Sequence, residues 1–454
     1  MRYIAIAFVL LALPIFVVLL RNRGAYKWAA FLIGLLPFAI GAANLDAALI
    51  DWSMWPGYAK GMVFTILDSL AISIVISSRH PFRRLPFKAI WATYLAAVAL
   101  SAFQAELILS PLFYLFQLAR VFVLFVAVAS ILDSPYALRY LMFGLAAGAI
   151  MQAGIAIDQR LGGAFQATGT MGHQNLLGLM LHFVTLPIFA FLLTGQKSKF
   201  LYLGLSASLL AVALGASRGA IGFVGLGVIS MLFLSMLRRV TGPKLKVAGV
   251  FALMIALTGP LVLSGLERRF ENLETAGGYD ERAAFEKAAK SMWSDHPFGV
   301  GANEYVVVAN TAGYNANAGV IWNASSRSTN VHNVYLLVGA ETGWLGFATF
   351  VALLAWPVFR GLNYAFSRRK DPRGDIVLGA TIAIAITMVH GLYEWVHVMY
   401  QEQYMMAIGL GIVAGAIRQR TKEVSASVRN NTAPSLGLAG LREDTEMPGV
   451  LSNR

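Results

Sequence analysis

Apolar runs of spanning or nearly spanning length recur along almost the whole chain, parted by short polar segments. They predict membrane helices at roughly 3–20, 28–44, 61–77, 89–105, 112–132, 136–157, 175–194, 199–215, 219–237, 247–264, 333–359, 376–395 and 402–417, about twelve or thirteen in all. The first run, YIAIAFVLLALPIFVVLL, is followed by Arg21, Asn22 and Arg23 and by no small-x-small cleavage site, so it reads as an uncleaved span.

One interruption is long, from Gly265 to Val331. Within it, Glu281–Trp293 (ERAAFEKAAKSMW) has helical spacing with its apolar positions on one side, as an amphipathic helix at a membrane surface would. HPFGVGANEY at 296–305 predicts a Pro/Gly turn entering another short element. Asn310–Asn330 predicts an irregular, mobile loop, and the polar stretch from Thr421 a disordered cytoplasmic tail. The expected division is a transmembrane bundle over 1–264, the long loop over 265–331, further transmembrane helices over 332–420 and the tail over 421–454, with no internal repeat and no soluble second domain.

Composition sharpens the class. Of 454 residues, 57% are hydrophobic and 13% charged, where a soluble domain carries about a quarter charged. The fold class is therefore all-α, a polytopic integral membrane protein. A net charge of +13 raises nucleic acid or anionic lipid as partners, but its distribution points elsewhere. Arg21/Arg23/Lys27, Arg79/Arg83/Arg84/Lys88, Lys197/Lys199, Arg238/Arg239/Lys244/Lys246 and Arg360/Arg368/Arg369/Lys370/Arg373 occupy alternate connections. Those between them, Asn44–Lys60, Gln104–Pro111, Gly162–Gln174 and Tyr393–Gln403, are poor in Lys and Arg. The positive-inside rule makes the basic set cytoplasmic and needs no nucleic acid. The N-terminus and the long loop then lie on the opposite face, the periplasm of a Gram-negative cell. With no cysteine in the chain, disulfides, thiolate catalysis and cysteine-held metals are excluded.

Charged and polar residues in or beside spans are the candidate chemistry, because each is costly in lipid. Arg120 lies mid-span, as either a buried ion pair with Asp68 or Glu106 or an anion-binding group, and Asp68 leans structural. Arg218, in LGASRGAIGFVG, opens a span on the periplasmic side, where a helix N-terminus adds partial positive charge suited to phosphate. GTMGHQNLLGLML opens another span there, with His173, Gln174 and Asn175 as a polar, helix-capping rim. His332 and Asn333 close the long loop, Asn333 as a cap and His332 facing the interface. Gly339, Gly343 and Gly346 suggest close approach of another helix. Glu341 lies nine residues after His332, near 180° around an ideal helix, so the two do not form a dyad within one straight helix. Glu341 is expected to orient a loop or to pair with Arg218 or Arg282.

His332-Asn333 followed by Gly343 and Gly346 resembles the HN-x9-GxxG signature of the O-antigen ligase and O-antigen polymerase (Wzy-type) superfamily. GTMGHQNLLG, SRG and ERAAFEKAAKSMWSDHPFGVG resemble three further elements of that superfamily, in the same order, over roughly residues 165–400. The resemblance implies a GT-C-like helical bundle that transfers a glycan from undecaprenyl pyrophosphate to a hydroxyl acceptor. It implies Arg218 and Arg282, with Arg120 as a third, on the pyrophosphate, His332 as base, and Glu341 orienting the helix or the arginines. Asn333, His173 and Asn175 are supporting residues. The donor carries its own activation, so no cofactor is expected. No Asp-x-Asp pair lies on the periplasmic side, which favours a metal-independent mechanism. One departure stands out: the charge pattern gives an odd span count, whereas the well-known ligases have an even one.

The leading reading is a polymerase of a surface polysaccharide, O-antigen or exopolysaccharide, with the next repeat unit as acceptor. A ligase using lipid A-core shares the donor chemistry, and a chain-length regulator and flippase are further candidate partners. A transporter of the lipid-linked glycan is the competing class and would line both leaflets with charge; here the polar residues gather at one face. A scaffold of an export complex is the weakest alternative. The long loop is expected to close over substrate, because it links Arg282 to His332.

Overall fold

A computed structural model describes residues 2–134, 136–250, 281–367 and 369–430. Most of the span expected at 247–264, the loop up to residue 280 and the tail beyond residue 430 lie outside the described residues. Among those described, six helices are long and apolar enough to cross a membrane, and five shorter apolar helices accompany them. The chain is an all-α multi-pass membrane protein.

Expected spans and observed helices agree within a few residues, with informative exceptions. The run 61–77 is not one helix: Gly61–Thr65 is a strand paired antiparallel with Asp46–Asp51, and the helix begins at Ile66. The apolar MVFT run satisfies strand and helix alike, and the Thr65/Asp68 capping box sets the switch. Asn310–Asn330 holds two short helices, Tyr314–Ala318 and Ala324–Arg327. The Arg327 guanidinium fastens them by donating to the carbonyls of Val320 at 2.8 Å and Ile321 at 3.3 Å. The last helix, Tyr400–Asn430, runs past Thr421, where the tail was expected to begin.

The connections segregate to two ends. At one, Arg238 Nη1 pairs with Asp375 Oδ1 at 2.7 Å, and Lys244 Nζ with Asp375 Oδ2 at 3.0 Å. Arg418 joins this end by donating to the Pro81 carbonyl at 2.9 Å and pairing with Asp133 at 3.2 Å. These are the segments whose Lys and Arg alternate along the sequence. Helices Gln174–Leu193, Arg218–Arg238 and Arg373–His390 run from that basic end to the opposite one. The second of them, 21 residues long, covers about 30 Å, the hydrocarbon thickness of a bilayer.

At the far end the loop is built into the bundle. The long helix Val334–Ser367 breaks at Gly343, whose φ of 66° and ψ of −167° are open to glycine. The break frees backbone groups, and the HPFGVG turn takes them. Val300 N–H donates to the Ala340 carbonyl at 3.0 Å, Gly301 N–H to the Glu341 carbonyl at 2.9 Å, and Trp344 N–H to the Pro297 carbonyl at 3.0 Å. A Cβ on Gly343 would overlap the Pro297 carbonyl and the Phe298 backbone. At Gly343 the neighbour that glycine admits is a loop; at Gly339 it is Trp293 of the helix Glu281–Asp295, a second helix as the sequence suggested.

Candidate functional site

The cavity end holds a recess of about 680 Å³ lined by Ser217, Arg218, Asn175, Arg282, His390 and Glu394, among others. They arrive from several elements, each for a local reason. Ser217 caps its helix, Oγ accepting from Ala220 N–H at 3.3 Å, so Arg218 is the first helical residue and stands beside free N–H groups. Among the described residues no ion pair engages its exposed guanidinium. Arg282 projects from the start of Glu281–Asp295, the amphipathic helix expected from sequence, whose Ala284, Phe285, Ala288 and Met292 are buried.

Glu394 ties the site together, and it went unnoticed in the sequence. Its carboxylate side chain is only 5% exposed and lies 3.9 Å from Arg282 Nη2 and 3.6 Å from His332 Nδ1. Asn175 Nδ2 donates to its Oε1 at 2.5 Å. Its own carbonyl accepts from Val334 N–H at 3.1 Å, fixing the turn after His390 against the start of the His332-bearing helix. Asn333 caps that helix, Oδ1 accepting from Tyr335 N–H at 3.0 Å and Leu336 N–H at 3.2 Å. His173 caps the neighbouring helix, Nδ1 accepting from Asn175 N–H at 3.2 Å, and so steadies Asn175 against Glu394. Burial holds the His173 imidazole below the usual histidine range, opposed by Glu394 and reinforced by His332.

Arg218, Arg282 and Asn175 line the recess, His332 reaches it through Glu394, and Asn333 and His173 cap the two helices beside it. Glu341 and Arg120 do not join them. Glu341 is buried at the helix break, where Oε2 accepts from the Tyr58 hydroxyl at 2.6 Å and Oε1 from Tyr305 N–H at 3.1 Å. Its place is to hold the loop, one of the roles the spacing allowed. Arg120 Nη1 pairs with Asp68 Oδ2 at 2.6 Å and donates to the Tyr404 hydroxyl at 2.6 Å. Tyr404 in turn donates to Asp68 Oδ1 at 2.8 Å. None of these partners lines the recess, and the buried-pair alternative describes the geometry.

Chemically, the recess sets cations and a helix N-terminus beside a histidine backed by a carboxylate. This is equipment for binding an anion and for moving a proton. The recess lies at one end of a multi-pass membrane bundle. Residues 183–351 match the family model for O-antigen ligase, and this region is a domain of the O-antigen ligase/polymerase superfamily. Glycan transfer of that general type is the activity the match supports. The matched stretch contains Arg218, Arg282, His332, Asn333 and Glu341; His390 and Glu394 lie beyond it. No curated protein matches the chain.

Proposed function

We propose that the protein transfers a glycan from an undecaprenyl-pyrophosphate donor to a hydroxyl acceptor at the periplasmic face of the inner membrane. The carrying observation is the convergence on Glu394, which puts Arg282 and His332 on one carboxylate beside the recess that Arg218 lines. Arg218, Arg282 and the helix N-terminus receive the pyrophosphate oxygens and stabilise the charge that grows as the group leaves. Glu394 turns Nδ1 of His332 toward itself, leaving Nε2 to take the acceptor proton. The acceptor oxygen bonds to the sugar C1, the C1–O bond to phosphate breaks, and undecaprenyl pyrophosphate departs. A single displacement of this kind inverts the anomeric centre. Arginines neutralise the leaving group, so no metal is assigned a step.

The first acceptor reading is the next repeat unit, making the protein a polymerase of O-antigen or exopolysaccharide. The second is lipid A-core, a reading favoured by the ligase description of the matched family. Either way, the purified protein in lipid nanodiscs, given an undecaprenyl-pyrophosphate-linked oligosaccharide and acceptor, should release undecaprenyl pyrophosphate in step with glycan transfer. Absence of release with both acceptors would refute the proposal.

A further inference from the structure

One wall of the recess is a histidine whose partner lies deeper in the bundle. His390, last residue of Arg373–His390, is 1% exposed and borders the recess. Its Nδ1 stands 3.2 Å from Nε2 of His182, which projects from the Gln174–Leu193 helix and is fully buried. The imidazole of His390 lies on Phe223 with centroids 4.5 Å apart. Its other nitrogen, Nε2, reaches Gly219, where a Cβ would come within 3.2 Å of it. Gly219 follows Arg218, so Nε2 sits beside the first turn of the helix whose N-terminus faces the recess. No hydrogen bond to Nε2 is formed among the described residues.

The pair has two ways to share one hydrogen bond. His390 can donate from Nδ1, which leaves its Nε2 a bare acceptor and obliges His182 to carry its proton on Nδ1. Alternatively, His182 donates from Nε2, His390 accepts on Nδ1, and the His390 proton sits on Nε2. Nδ1 of His182 is buried with no hydrogen-bond partner. Either arrangement leaves Nδ1 of His182 without a partner. An anion in the recess favours the second, because only that one gives His390 an N–H on Nε2 to donate.

We propose that His390 donates a hydrogen bond from Nε2 to a phosphate oxygen of the lipid-linked donor, in a tautomer held by His182. This rests on reading the recess as the pyrophosphate site. A neutral, fixed donor adds direction to the cations Arg218 and Arg282, and Phe223 beneath the ring sets its plane. Such a bond to an anion is of the stronger, charge-assisted kind.

The test uses full-length protein in nanodiscs, with undecaprenyl pyrophosphate as probe. His390→Phe keeps a flat ring on Phe223 but has no N–H; His390→Gln places an amide N–H near Nε2. The proposal expects about tenfold weaker binding for His390→Phe and a change within about threefold for His390→Gln. Equal loss in both would assign the ring a packing role and overturn the proposal. Wild-type binding by His390→Phe, with Arg218→Ala weakened, would overturn it while leaving the site reading intact. Wild-type binding by Arg218→Ala would remove the site reading itself. On unmutated protein labelled with 15N-histidine and carrying the probe, His390 should show a protonated Nε2 and an unprotonated Nδ1; the reverse tautomer refutes the proposal without any variant having to fold.

Discussion

Glu394 holds Oε2 3.6 Å from Nδ1 of His332, near enough to pair but longer than a hydrogen bond. The two come from the turn after one span and the mouth of another, and the Val334 N–H bond to the Glu394 carbonyl locks those elements together. A carboxylate in this position can orient the imidazole. Glu394→Gln should therefore lower kcat, by about 10–100-fold if this support matters as much as the carboxylate behind a metal-bound histidine does. The donor KM should not rise, since the change removes negative charge from an anion recess. Steady-state transfer with varied donor checks both; a raised KM at unchanged kcat would instead make Glu394 a binding group.

The helix break at Gly343 makes a second prediction. Gly343→Ala forces a side chain onto a φ of 66° and into the Pro297 carbonyl. The left-handed conformation alone costs about 1–3 kcal/mol, and the clash adds to it by expelling the HPFGVG turn. Thermal unfolding should shift downward, and limited proteolysis between residues 296 and 305 should become faster. Unchanged protection of that turn would contradict the docking account.

Arg120 tests structure against chemistry. Removing one member of a buried pair leaves the other charge stranded and typically costs about 3–5 kcal/mol. Arg120→Ala should therefore destabilise the protein markedly, while the double variant Arg120→Met/Asp68→Asn recovers much of the loss. The fraction that folds should transfer glycan with an unchanged donor KM, because Tyr404 and Asp68, not the recess, are its partners.

Much of the architecture was legible in the sequence because lipid imposes a coarse code: apolar runs of bilayer length, and basic residues in alternate connections. The strand Gly61–Thr65 was not, because the apolar residues Met62, Val63 and Phe64 before a cap read equally well as the first turn of a helix running into Ile66–Ser77. For the site, spacing separated Glu341 from His332, and only the family resemblance grouped Arg218, Arg282 and His332, which the structure sets around Glu394 and the recess. Glu394 escaped because its segment, Tyr393–Gln403, was read only for its lack of Lys and Arg. The residue was open to view, a carboxylate in a connection on the same face as Arg218, Arg282 and His332, but several other carboxylates share that face and nothing in the sequence singled it out. His390 carried no signal either, since its pairing with His182 joins residues 208 apart in the chain.

Glu304 supplies a pH dependence. It lies in the docked turn, and burial pushes its carboxyl up to about 7, with the Leu107 backbone opposing and Glu106 adding to the rise. The folded state then binds this proton more tightly than the unfolded chain does. Its contribution to stability is full below the ordinary glutamate range of about 4.3 and is lost as pH rises through about 7. Glu304→Gln should flatten thermal stability across that window relative to wild type. An unaltered pH profile in the variant would show that Glu304 is not the group responsible.

The central claim is that the Arg218 and His332 recess transfers glycan from a lipid-linked donor. A deletion strain complemented with wild type, His332→Ala or Arg218→Ala, its lipid-linked glycans extracted and sized, tests this most directly. The account predicts that deletion and both variants accumulate undecaprenyl-linked donor, as single repeats for a polymerase or as long untransferred chains for a ligase. Normal glycans in both variants, with deletion abolishing them, would contradict it.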